Sequence, residues 1–269
     1  MKLNVRRITK FCNKPIGYFT RFGNVLSTNN NGLLVYQDNG ASILGVAHLD
    51  TVCKPLKARV LSPDIVQSLA MDDRLGAYIL LDVLKRQGLR FDVLLTDREE
   101  SAQTTAQYFN PQKSYNWIFE FDRAGDDVVL YNYDDKDTRE ILTTFDFNVG
   151  LGSFSDISWL EHLGVKAFNF GTCYYRAHTQ GCYADLVQLK SQVQKFINFY
   201  NCYKDIKLPH VPLEYDDYIV YDDYTDDFWD NYQGEGSQYC QYCDGDIYTS
   251  EEMEIGLCNY CLEFLVRHE

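Results

Sequence analysis

The chain has 269 residues, 45% of them apolar and 24% charged, which excludes the disordered, fibrous and membrane-embedded classes. Its 25 basic and 39 acidic residues are unevenly placed: residues 206–269 hold two basic residues (Lys207, Arg267) against sixteen acidic ones, which leaves 23 of each sign over residues 1–205. A neutral body with an acidic tail lacks the clustered Lys and Arg that grip a phosphate backbone, so no nucleic-acid partner is expected. The polar start, and the lack of any run near eighteen apolar residues, predict a cytoplasmic protein with no membrane partner.

In chain order, the apolar runs at 33–36, 43–47, 91–95, 117–121 and 166–170 read as buried strands. Residues 74–86 have helical spacing, with Gly88 as a stop. Residues 185–203 carry Leu186, Leu189, Val193, Phe196, Ile197 and Tyr200 on one stripe of a second helix. This alternation predicts an α/β domain over residues 1–205, a three-layer, mostly parallel sheet with helices on both faces. Functional residues of such sheets gather where strands end.

After Tyr203 the character changes. Residues 206–236 form an acidic, aromatic-rich segment whose charges repel one another, and they read as a linker. Within 237–269, Cys240 and Cys243 form one CxxC pair and Cys258 and Cys261 another, fourteen residues apart. That spacing folds two knuckles against one tetrahedral ion, so a structural Zn²⁺ in a zinc-ribbon-like module is expected. The acidic surroundings favour a structural role or a protein partner for this tail. The other cysteines (Cys12, Cys53, Cys173, Cys182 and Cys202) have no disulfide-framework spacing and are expected to be buried thiols.

Five clusters of titratable residues occur at ends of these elements: His48-Leu49-Asp50, Asp72-Asp73, Glu99-Glu100, Asp122 and His178. Together they supply two imidazoles and enough carboxylates to balance two divalent cations, an inventory that suits a two-metal hydrolytic site. Adjacent acids at a strand end point in different directions, so one can bind metal while its neighbour handles a proton.

In that order the clusters resemble the dinuclear zinc aminopeptidase and aminoacylase superfamily, over about residues 30–203. The resemblance implies that His48 and Asp122 hold one zinc, Glu100 and His178 the other, and that Asp72 bridges them. It makes Glu99 the general base and Asp50 the residue that orients His48. It also covers Phe154-Ser155-Asp156, similar to a segment preceding the last histidine in the aminopeptidase branch. Two departures stand out: Ser101-Ala102 follows the paired glutamates where a glycine is common, and no acid follows His178 closely. The short Asp122-to-His178 and His48-to-Asp72 intervals leave no room for the lid or insertion domains of larger relatives. The implied function is amide-bond hydrolysis at a peptide N-terminus, using a metal-bridging water and Glu99. The alternatives are deacylation of a small acylated metabolite, and a non-catalytic hydrolase-like scaffold that binds a protein through its tail.

Overall fold

The computed structural model describes residues 1–52 and 58–212. Most of the acidic segment, the module carrying Cys240, Cys243, Cys258 and Cys261, and Cys53 all lie outside the described residues.

The large sheet contains β1 (Asn24–Val25), β2 (Val35–Gln37), β3 (Ile43–His48), β6 (Asp92–Thr96), β7 (Trp117–Arg123), β8 (Val128–Val129), β9 (Val149–Gly150) and β10 (Ala167–Gly171). Its spatial order is β1-β2-β6-β3-β7-β10-β8-β9. The central pairs β6–β3, β3–β7 and β7–β10 are parallel, whereas β2 against β6 and β8 against β10 are antiparallel. The expected strands are present, and their apolar runs are continuous because alternate residues enter two different cores. In β3, Ile43 and Ala47 belong to one core, and Leu44 and Val46 to the other.

The first core is covered by helices α1 (Val5–Cys12), α2 (Met71–Tyr78), α3 (Lys136–Thr143) and α4 (Leu186–Tyr203). The Asp185 carboxylate caps α4 by accepting from the N–H groups of Val187 and Gln188, and the predicted apolar stripe of α4 is buried. Rings from strand and helix interlock there: Phe119 and Phe196 lie 4.6 Å apart and Trp117 and Phe199 5.1 Å apart. The Asp72–Asp73 peptide is cis and both residues have non-helical backbone angles, so regular helix starts at Arg74 and continues through a π-helical stretch, Ile79–Leu84. Gly88 follows with φ +79°, the left-handed conformation expected of a helix stop.

The second core corrects the expectation of helices on both faces. Short 3-10 turns cover it instead, at Thr105–Tyr108, Tyr131–Tyr133 and Asp156–Trp159, through Ala106, Tyr133 and Ile157. The connections on this side carry no long stripe of helical period, so single turns place one or two apolar side chains each. A second sheet, with no counterpart in the expected elements, contains β4 (Arg59–Ser62), β5 (Ile65–Gln67), β11 (Tyr174–Tyr175) and β12 (Tyr183–Asp185), in the order β11-β12-β5-β4 and antiparallel throughout. Its strands are too short for their pattern to stand out in sequence.

Beyond residue 205 the chain still binds the body: Lys166 N–H donates to the Leu208 carbonyl at 2.8 Å, and buried His210 reaches Glu161 at 3.1 Å. Cys12, Cys173 and Cys182 are buried, but Cys202 is exposed, correcting the expectation for it: it lies off the apolar stripe of α4. Among the described residues no helix is long and apolar enough to cross a membrane.

Candidate metal centre

Parallel strands bring the chemistry together. β3 ends at His48, the β6 end leads into Glu99 and Glu100, and β7 carries Glu120 and Asp122, so three neighbouring strands deliver three of the clusters to one edge. The small sheet delivers the other two: β5 leads into Asp72, and the loop between β11 and β12 carries His178.

Asp72 lies between the imidazoles. Its Oδ1 is 2.9 Å from His48 Nε2, and its Oδ2 is 3.2 Å from His178 Nε2. Asp122 Oδ1 is 3.3 Å from His48 Nε2, and Glu100 Oε2 is 3.2 Å from His178 Nε2. The cluster therefore has two halves with donor spacing suited to a cation, His48–Asp72–Asp122 and Asp72–Glu100–His178, sharing one carboxylate. Among the described residues the buried Glu100 Oε1 receives no hydrogen bond, and Asp122 Oδ1 meets the His48 imidazole without a well-formed one. Buried carboxylate oxygens seldom go without a partner, so these donors fit divalent ions.

The neighbouring acids have other attachments. Asp73 is fully buried and accepts from the Gly76 N–H at 2.8 Å. Glu99 Oε2 is 3.8 Å from His48 Nε2. Asp50 approaches His48 Nδ1 with its carbonyl at 3.2 Å and its carboxylate at 3.4 Å. The same carboxylate accepts from the N–H groups of Glu99 and Glu100, each at 3.2 Å, and so places the glutamate turn as well as the imidazole.

Electrostatics follow from crowding these groups away from water. Burial would raise the Asp72 carboxyl, but hydrogen bonds from His178 and His48 hold it well below the usual range. Burial pushes Glu99 up to about 9, with Asp122, Asp156 and Asp72 adding repulsion against the opposing pull of His48. Asp122 rises to about 7 through burial and the charge of Asp72. His178, hydrogen-bonded to Asp72 and Glu100, rises to about 10.

Of the supporting residues, Asp156 lies in the segment singled out by the resemblance, whereas Tyr174, Asn169 and Arg74 escaped sequence reasoning. Tyr174, buried on β11, donates its hydroxyl hydrogen to Asp72 Oδ2 at 2.9 Å. Asn169 on β10 accepts from the N–H groups of Asp122 and Arg123 at 3.1 and 2.9 Å, fixing that strand end. The Asp156 carboxylate takes the hydroxyls of Thr96 and Thr104, and buried Arg74 stacks 4.7 Å over the Phe19 ring. The Phe154-Ser155-Asp156 segment was the signal for Asp156; a lone Tyr or Asn inside a strand carries none.

A mixed α/β fold with a large, mostly parallel sheet is also found in several solved peptidases. A tripeptidase from Staphylococcus aureus superposes with a TM-score of 0.57 at 12% identity, covering 75% of this chain and 99% of that one. The TET1 peptidase of Pyrococcus horikoshii gives 0.53 at 14% identity (72% and 98%), and aminopeptidase PepT from Bacillus cereus 0.55 at 11% (72% and 96%). At such identities the likeness is one of fold. The sequence matches no protein-family profile and no curated protein.

Proposed function

We propose that the chain is a zinc-dependent hydrolase that cleaves amide bonds at peptide N-termini. The observation that carries this reading is the Asp72 carboxylate, with one oxygen toward His48 and the other toward His178. In this reading His48 and Asp122 hold one ion, Glu100 and His178 the other, and Asp72 serves both. Ions held by these residues would supply Lewis acidity and a water of lowered pKa. Glu99, 3.8 Å from His48, would be the general base, taking a proton from the attacking water and returning it to the leaving amine. Asp50 positions His48 and the glutamate turn. The tripeptidase and aminopeptidases of similar fold support a peptide substrate. In this reading Cys240, Cys243, Cys258 and Cys261 would hold a third, structural zinc, as their paired CxxC spacing suggests.

The test is metal analysis of full-length protein together with hydrolysis of aminoacyl anilides and N-acyl amino acids. Three zinc ions per chain, with cleavage of the anilides, are expected. A single cysteine-held zinc, or turnover confined to N-acyl amino acids, would overturn the peptidase assignment.

A further inference from the structure

The two glutamates of the centre sit on backbone that their local sequence does not favour. Residues 96–104 leave β6, pass through Glu99 and Glu100, and enter the 3-10 turn Thr105–Tyr108. On either side of the glutamates the chain is left-handed without a glycine, at Arg98 (φ +65°) and Ala102 (φ +54°). Such conformations persist where surrounding contacts impose them. Some of the hold is local: the Gln103 N–H donates to the Arg98 carbonyl at 3.0 Å and the Thr105 N–H to the Asp97 carbonyl at 2.9 Å. These bonds close the loop on itself without placing it relative to His48 and His178. Leu33 N–H ties its start, through Asp97 Oδ2 at 2.9 Å, and the Asp50 carboxylate ties its middle.

Asp156 reaches both ends at once. One of its carboxylate oxygens accepts from the Thr96 hydroxyl and the other from the Thr104 hydroxyl, and all three side chains are buried. The Thr96 hydroxyl also lies 3.2 Å from the carbonyl of Ala47, the residue before His48, and the Thr104 hydroxyl accepts from the Ala106 N–H at 3.1 Å. Asp156 is itself anchored, because it opens the turn Asp156–Trp159, whose Ile157 is buried in the second core and takes the Tyr133 hydroxyl on its carbonyl at 2.6 Å. A buried carboxylate with a partner on each oxygen acts as a spacer of fixed length between two chain segments.

We infer that Asp156 is a positioning residue of the centre: by fixing Thr96 and Thr104 it places Glu100 against His178 and Glu99 beside His48. The inference rests on the hydrolase reading above and adds a residue that belongs to neither half of the metal cluster. Its role is one of geometry, so an amide should serve nearly as well as the carboxylate. In Asp156→Asn the side-chain oxygen accepts from Thr104 and the Nδ2 donates to the Thr96 oxygen, whose own hydrogen turns to the Ala47 carbonyl.

The experiment uses full-length protein and compares Asp156→Ala, Asp156→Asn, Thr104→Val and the Asp156→Ala/Thr104→Val double variant with the unmodified chain. Zinc affinity is read by chelator competition, and kcat and KM are read separately on an aminoacyl anilide. Asp156→Ala should weaken zinc binding by about tenfold or more. Its kcat should fall by a similar factor, about tenfold or more, with KM nearly unchanged. Thr104→Val, which removes one of the two contacts, should show a smaller loss of the same kind, and Asp156→Asn should recover most of what Asp156→Ala loses. The double variant should be no worse than Asp156→Ala, since both changes break the same contact. If circular dichroism shows Asp156→Ala unfolded, Thr104→Val and Asp156→Asn decide the matter. Unaltered zinc affinity and kcat in Thr104→Val, or an Asp156→Asn as impaired as Asp156→Ala, overturns the positioning role alone. An unmodified chain that binds no zinc beyond one cysteine-held ion and cleaves no anilide overturns the hydrolase reading, and the inference with it.

Discussion

The hydroxyl of Tyr174 donates to Oδ2 of Asp72 at 2.9 Å across 102 positions of sequence, and that oxygen also faces His178 at 3.2 Å. The bond fixes the rotation of the carboxylate and spreads its charge. Groups that orient a metal ligand in this way are worth roughly 10–100-fold in metal affinity. Tyr174→Phe keeps the buried ring and should weaken zinc binding by about that factor, read by chelator competition, with circular dichroism unchanged. Undiminished affinity would show that Asp72 needs no such support.

Glu99→Gln removes the proposed proton carrier while preserving its shape. Bound zinc should stay near the unmodified level, because the two halves of the cluster use other side chains. Turnover of the best anilide should fall by about 10²–10⁴. Loss of both metal and activity would reassign Glu99 as a ligand.

The metal-free protein should lose stability as pH rises. In the folded chain Glu99 lies near 9 against an ordinary 4.5, Asp122 near 7 against 3.8 and His178 near 10 against 6.5. All three are raised, so the stabilisation that their protons bring is present at low pH and disappears as pH climbs through the folded values. Asp72 is shifted the other way, and its contribution is lost only in acid below its ordinary 3.8. Between pH 5 and 9 the Tm measured in chelator should therefore decline, and saturating zinc should flatten or reverse the slope, because cations replace the protons. A chelated protein whose Tm rises across this window would sink the electrostatic account.

Ala102 stands where the resemblance anticipates a glycine nearby, and its φ is +54°. A left-handed conformation costs a non-glycine residue about 1–2 kcal/mol, of which the greater freedom of glycine in the unfolded chain takes back about 0.4–1 kcal/mol. Ala102→Gly should accordingly be neutral or stabilising by up to about 1.6 kcal/mol, whereas the β-branched Ala102→Val should be clearly destabilising. Urea titration of the pair measures both, and the opposite ranking would mean that the turn takes another conformation in solution.

Much of the frame was readable one element at a time. The five apolar runs are strands, and the α4 stripe from Leu186 to Tyr200 is buried as its period demands. The 3-10 turns over the second core were not readable, because three or four residues hold no period. The small sheet was hidden for a related reason: β11 is two residues long, and its pairing with β12 spans a loop that ordinary turn signals do not flag.

Which chemistry the chain can carry was written in residue order: two imidazoles, the paired acids and their intervals are local facts of covalent sequence. Which oxygen faces which nitrogen was not. That Asp72 rather than Asp73 lies between His48 and His178, and that Glu100 rather than Glu99 meets His178, depends on backbone direction at two turns. That direction is set by strands and loops up to 106 residues away, so only packing could choose between adjacent carboxylates of identical chemistry.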